Sequence, residues 1–143
     1  MLEDGKLTGK IALITGASRG IGAAVAKRFA TEGAHVILVA RTQAGLEEVD
    51  DKIRDAGGKA TLFVSDLTDY EKTDQMGAAL FERFGRLDVL VGNAGILGDL
   101  CPIGHIDPQA WDQVMAVNTT ANWRLLRSCD PLLRQSDAGR AIF

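Results

Sequence analysis

The sequence predicts an α/β fold, a doubly wound parallel sheet held between two layers of helix. Three observations carry that expectation. Four short apolar runs recur, IALIT (11–15), HVILVA (35–40), ATLFVS (60–65) and LDVLVG (87–92), each continuous rather than alternating. Parallel strands covered on both faces read this way. Longer segments of helical patterning separate the runs, and strand–helix alternation with right-handed crossovers winds into a three-layer α/β/α unit. A glycine-rich turn links the first run directly to the first helix.

Each element has its own signal. GIGAAVAKRFATEG carries Ile21, Val25 and Phe29 on one stripe and ends in Gly33, a helix-terminating residue. TQAGLEEVDDKIRDAGG sets Leu46, Val49 and Ile53 together and stops at Gly57 and Gly58. The third helix begins at TDYE, where Thr68 and Glu71 have the spacing of a capping box. Asp107 and Pro108 announce the fourth, as N-cap and first helical residue, and it is expected to run to about Cys129, before Pro131. SDAGRAIF, at the end of the chain, reads as a turn into the first half of a fifth strand. No internal repeat or linker interrupts this order, so residues 1–143 read as the N-terminal portion of a single domain, cut in its fifth strand.

Composition narrows the partners. A chain of 143 residues, 46% hydrophobic and 24% charged, is globular. Its net charge of −3 lacks the basic footprint that a nucleic acid or an anionic membrane requires. No stretch approaches the roughly 18 consecutive apolar residues of a membrane helix. MLEDGKLTGK has neither the basic nor the apolar region of a secretion signal. Cys101 and Cys129 read as reduced, buried thiols of a cytoplasmic protein, and no metal site is expected.

The turn after the first strand, TGASRGIG (15–22), places Gly16, Gly20 and Gly22 in a G-x-x-x-G-x-G spacing. Glycine lets the chain turn sharply, lets the backbone approach a phosphate and lets the helix pack close to its strand. The new helix then aims free N–H groups and its dipole at an anion. No Gly-Lys-Ser/Thr follows, so a P-loop is excluded. The glycines therefore suit the pyrophosphate of a dinucleotide in a Rossmann-type fold, and Gly16, Ser18, Arg19, Gly20, Ile21 and Gly22 are the candidate cofactor contacts of this loop.

TGASRGIG, then NAG (93–95) after the fourth strand, then VNTTANW (117–123) in the fourth helix resemble the short-chain dehydrogenase/reductase family, with some likeness to bacterial 3-oxoacyl carrier-protein reductases. The resemblance covers the whole chain but only the first part of the family's longer domain. It implies an oxidoreductase that interconverts a carbonyl and an alcohol by hydride transfer with a nicotinamide cofactor. At the end of the second strand an NAD enzyme usually places an acid on the adenosine ribose. Ala40 stands there instead, followed by Arg41, and no carboxylate appears before Glu47. Arg41 can pair with a 2′-phosphate, and Arg19 is similar to the second basic residue of NADP-preferring members. Each charge-assisted hydrogen bond contributes about 1.5–3 kcal/mol, so NADP is the expected cofactor. By resemblance Asp66 and the backbone of Leu67 hold the adenine, and Asn93, Ala94 and Gly95 line the nicotinamide-side ribose; with Thr68 and Glu71 already filling the helix cap, Asp66 is left freer for the cofactor. Gly92 departs from the family's Asn-Asn-Ala-Gly form.

Of the family's catalytic set, a Ser, a Tyr-x-x-x-Lys and an Asn that supports a water relay, only the Asn is visible, as Asn118. Tyr70 is the sole tyrosine and is followed four residues on by Asp74. Ser18, Ser65, Ser128 and Ser136 do not occupy the family's position after the fifth strand. The expected catalytic Ser and Tyr-x-x-x-Lys lie beyond Phe143, and the chain alone is expected to be inactive. The alternative is a non-catalytic NADP-binding module that ends there. A Rossmann methyltransferase is disfavoured by Arg41, where an acid for the ribose would stand. His35 opens a strand and reads as structural; His105 lies in a segment that borders the family's active-site cleft. A dimer or tetramer is implied by the resemblance, in which the fourth helix packs on its copy.

Overall fold

The computed structural model describes residues 5–143. The first four residues of the opening MLEDGKLTGK stretch lie outside that range. Five strands, β1 (Ile11–Thr15), β2 (His35–Ala40), β3 (Lys59–Val64), β4 (Val89–Val91) and β5 (Arg140–Ile142), form one sheet in the order β3-β2-β1-β4-β5, every pair parallel. The expected third strand is displaced by one residue, and the fourth is shorter than its apolar run.

Alternate residues of each strand feed two cores, which is why the runs are continuously apolar. Ala12, Ile14, Val36 and Leu38 face α1 (Gly20–Thr31) and α2 (Gln43–Asp55), packing on Ala26, Ala30, Leu46 and Ile53. Leu13, Ile37, Val39 and Leu90 face the other way, onto Met76 and Leu80 of α3 (Tyr70–Phe84) and Leu125 and Leu132 of α5 (Ala121–Arg134). Each fully buried Leu or Ile contributes about 1.5–3 kcal/mol by leaving water.

Four local expectations are corrected. In α1 the buried stripe is Gly22, Ala23, Ala26 and Ala30, while Ile21 is 74% exposed and Val25 and Phe29 are half-buried. A Cβ at Gly22 would run into the carbonyl of Gly16, so the start of the helix lies too close to the end of β1 for even an alanine there. Asp69, not Thr68, caps α3, accepting from the N–H of Lys72. The fourth helix is a rod in three parts: α4 (Pro108–Met115), a π-helical turn (Ala116–Thr120) and α5, which continues through Pro131 to Arg134. Pro131 cannot donate to the carbonyl of Arg127, but both residues are exposed and water can serve that oxygen, while Cys129 and Leu132 hold the opposite face on the core. Finally, Cys101 is exposed rather than buried; Cys129 is buried as expected.

His35 packs its ring edge-on against Phe84 at 5.2 Å and shares a 2.8 Å hydrogen bond with Thr61 Oγ1, a structural placement. Burial, then the charges of Arg83 and Lys59, holds its pKa below the usual histidine value. Among the described residues no helix is long and apolar enough to cross a membrane, and no cluster of metal-ligating side chains occurs.

At the N-terminal end of the strands one buried carboxylate ties the sheet together. Asp88 accepts from the N–H of Ile11 at 2.8 Å and from Ser136 Oγ at 2.6 Å, and pairs with Arg86 at 3.2 Å. It thereby joins the start of β1, the start of β4 and the turn before β5. Burial raises its pKa, but Ser136, Ile11 and the charges of Arg86 and Lys10 outweigh that and hold it below the ordinary carboxylate range. A depressed carboxyl stabilises the fold above its unfolded pKa, near 4, and that stabilisation is lost as pH falls through the lower folded value. Asp88→Ala is expected to cost about 1–3 kcal/mol at pH 7 through the unpaired Ile11 N–H alone. It should also flatten the loss of stability below about pH 4, as urea unfolding across pH reads directly.

Candidate functional site

A cleft of about 580 Å³ opens at the C-terminal ends of β1 to β4. It lies over the point where the strand order reverses between β1 and β4, the place where doubly wound sheets bind their ligands. The glycine loop makes one wall. Gly16 takes φ +61 and Gly20 φ +56, left-handed conformations that favour glycine. Arg19 occupies the N-cap of α1 in extended conformation, with no side chain capping the helix and no acid in its first turn. By contrast, α3 and α4 are capped by Asp69 and Asp107. The α1 terminus is thus left to the cleft with its N–H groups unserved by a cap.

Thr15, the last residue of β1, fixes this wall to the next. Its Oγ1 accepts from the N–H of Asn93 and of Ala94, both at 2.9 Å, and donates to the Val91 carbonyl at 3.4 Å. Asn93 returns the bond through Nδ2 to the Thr15 carbonyl at 3.1 Å. The sequence reading missed Thr15; its only signal is a hydroxyl closing an otherwise apolar strand, fully buried here.

At the other end Ser18, Arg19, Arg41, Asp66 and Leu67 line the cleft together with Gly45. A side chain at Gly45 would lie 2.9 Å from Ser18 Cβ, so α2 approaches the loop closely. Arg19 and Arg41 are exposed, and among the described residues neither makes an ion pair or side-chain hydrogen bond. Asp66 is not left free by the helix cap as expected. Its Oδ1 accepts from Thr68 Oγ1 at 2.7 Å and Thr68 N at 2.9 Å. Those bonds, with the charge of Arg41, hold its carboxyl below the usual range despite some burial. Oδ2 makes no hydrogen bond among the described residues and remains available to a donor.

Two predicted site residues stand outside the lining. Gly22 is buried against Gly16 and Asn93, where its lack of a side chain serves packing. Asn118 sits behind the wall in the π-helical turn, a helical variant frequent at functional sites. Its Oδ1 accepts from the N–H of Ile96 and its Nδ2 donates to the Ile96 carbonyl, both at 2.8 Å. It therefore clamps the helical rod to the segment that follows β4. Ile96, Gln113 and Val117, also missed from sequence, complete the cleft beside Asn93, Ala94 and Gly95. His105 lies in a short 3₁₀ turn, exposed and outside the cleft lining.

The fold and cleft define a Rossmann-type α/β protein. The family model for short chain dehydrogenases matches residues 10–143, and the chain belongs to that family. It is 39% identical over 140 residues to an uncharacterized oxidoreductase, YciK, of Escherichia coli K12, covering 96% of this chain and 56% of the relative. The solved structure of an oxidoreductase, YciK from E. coli, superposes with a TM-score of 0.94 at 38% identity, over 100% of this chain and 60% of that one. A metagenomic short-chain oxidoreductase in complex with NADP gives 0.89 at 38% identity, over 94% of this chain and 61% of that one. The chain spans somewhat over half the length of these relatives.

The Thr15 hub makes a direct prediction. Thr15→Val keeps the shape but leaves two N–H groups without an acceptor, each worth about 1–3 kcal/mol. Thermal unfolding should shift down by several degrees, whereas Thr15→Ser, which keeps the oxygen, should stay near the native value.

Proposed function

We propose that the cleft binds NADP and that the protein is an NADP-dependent oxidoreductase interconverting a carbonyl and an alcohol. The observation that carries this is the pair of unengaged arginines, Arg19 and Arg41, in a cleft walled by a glycine loop under an uncapped helix. The residues present fit the dinucleotide. Gly16, Ser18, Gly20 and Ile21 offer backbone and the α1 terminus to the pyrophosphate. Arg41, with no acid before Glu47, and Arg19 hold the 2′-phosphate. Asp66 Oδ2 and the Leu67 backbone take the adenine, and Asn93, Ala94 and Gly95 support the nicotinamide-side ribose. The bound nicotinamide supplies hydride chemistry. Asn118 is the one member of the family's catalytic set in the chain, and its clamp on Ile96 keeps the wall at that end in place. Neither the family's Ser nor its Tyr-x-x-x-Lys, which would orient and protonate the carbonyl oxygen, is found in residues 1–143, so on this reading those residues alone oxidise no NADPH.

We place the protein in the cytoplasm. Cys129 is buried, and burial pushes its thiol up to about 12, so it stays protonated and inert. Trp111, Met115 and Trp123, exposed along α4 and α5, support a homo-oligomer built on that rod; sedimentation of the protein as a monomer would remove it.

Titration calorimetry tests the cofactor. NADPH should bind more tightly than NADH, and Arg41→Ala or Arg19→Ala should each weaken NADPH by about 10- to 100-fold with little effect on NADH. Equal loss for both cofactors would overturn the assignment of these arginines.

A further inference from the structure

The helical rod behind the cleft carries a second asparagine, one turn beyond Asn118. Asn122 donates from Nδ2 to the carbonyl of Asn118 at 2.9 Å. Its Oδ1 is buried and has no hydrogen-bond partner among the described residues. That oxygen lies against Gly92, the residue immediately before the Asn93–Gly95 segment. A Cβ built at Gly92 would stand 2.8 Å from Asn122 Oδ1 and would also run into the ring of Phe143. The Phe143 ring and the Asn122 amide together occupy the space a side chain at 92 would need. A buried amide oxygen without a donor is costly, so its placement needs an offsetting reason, and the bond to Asn118 supplies one.

We propose that Asn122 is a positioning residue for the nicotinamide end of the cleft, acting through Asn118. The chain of contacts is short. Asn122 fixes the Asn118 peptide; the Asn118 side chain holds both backbone groups of Ile96; and Asn118 Oδ1 lies 3.4 Å from the Cβ position of Gly95. Gly95 and Ile96 line the cleft. Removing the Nδ2 donor frees the peptide inside the π-helical turn, where the regular helical ladder is already interrupted, and the clamp on Ile96 loosens with it. The inference rests on the cofactor reading for its functional consequence, but its geometry does not.

The test compares three replacements at 122, with two readouts on the same protein. Asn122→Asp keeps the size but has no donor, and Asn122→Ala has neither. Asn122→Thr is shorter, yet its hydroxyl can donate to the carbonyl four residues back. Hydrogen exchange at the Ile96 N–H reports the Asn118 clamp, and titration with NADPH reports the cleft. Asn122→Asp and Asn122→Ala should speed Ile96 exchange and weaken NADPH by about 5- to 10-fold, the scale of one lost hydrogen bond. Asn122→Thr should leave both within about twofold, still on that scale.

A merely structural role would lower thermal stability in all three variants without moving Ile96 exchange or NADPH affinity, and would overturn the proposal. Failure of the native protein to bind NADPH would sink the cofactor reading. Ile96 exchange would then still decide the role of Asn122. Should Asn122→Asp not fold, the Asn122→Ala and Asn122→Thr pair carries the same decision.

Discussion

The hydroxyl of Thr15 is the interaction on which the site depends. Strands β1 and β4 are neighbours in the sheet but far apart in sequence, and their C-terminal ends diverge into two loops that must face each other across a cleft. Thr15 Oγ1 takes the N–H groups of Asn93 and Ala94, and Asn93 returns a bond to the Thr15 carbonyl. Backbone groups that emerge from a sheet edge would otherwise need water. Here they are used to lock the glycine loop to the segment after β4. The cleft is thus held open by the sheet itself, and the mobile parts of a ligand need not organise it.

A second constraint is closeness. Gly22 lies against the Gly16 carbonyl, and Gly77 of α3 lies against the Ser128 carbonyl of α5. On both faces of the sheet, then, a missing side chain lets backbones approach. The consequences run in sequence. α1 presents alanines to the core, its N-terminus arrives directly over the β1 end, and the helix dipole points into the cleft where Arg19 and Arg41 already concentrate positive charge. On the far face Ser128 accepts from the Gly77 N–H at 2.8 Å and donates to the Asp74 carbonyl at 3.0 Å. That contact seats the α4–α5 rod, and the rod carries Asn118 to Ile96.

Much of this was legible in the sequence, for physical reasons that also explain the rest. Continuous apolar runs announce strands covered on both faces, and the sheet forms from them nearly residue for residue. TGASRGIG, Arg41, Asp66 and NAG lie at strand ends, and topology alone brings those ends to one cleft. What sequence spacing misreads is packing distance. A stripe of Ile21, Val25 and Phe29 outweighs alanines on any hydrophobicity scale, yet the tight approach at Gly22 selects the alanines. Thr68 and Asp69 both suit an N-cap, and the choice of Asp69 follows from Thr68 being drawn to Asp66. The π-helical turn has no residue signature at all. It is set by the backbone hydrogen bonding of Ala116–Thr120, and Asn118 and Asn122 find backbone acceptors around it. Asp88, likewise, reads as one more charge until its three partners are assembled around it.

The central claim is that the cleft over the β1–β4 junction is where a nicotinamide dinucleotide binds. Backbone amide NMR of the protein titrated with NADPH tests it most directly. The account predicts saturable shifts concentrated at Gly16 to Ile21, Arg41, Asp66 to Thr68 and Asn93 to Ile96, with the opposite end of the sheet around Asp88 and His35 unmoved. Saturable binding whose shifts fall outside that set, or no shifts at millimolar NADPH in a folded sample, would contradict it.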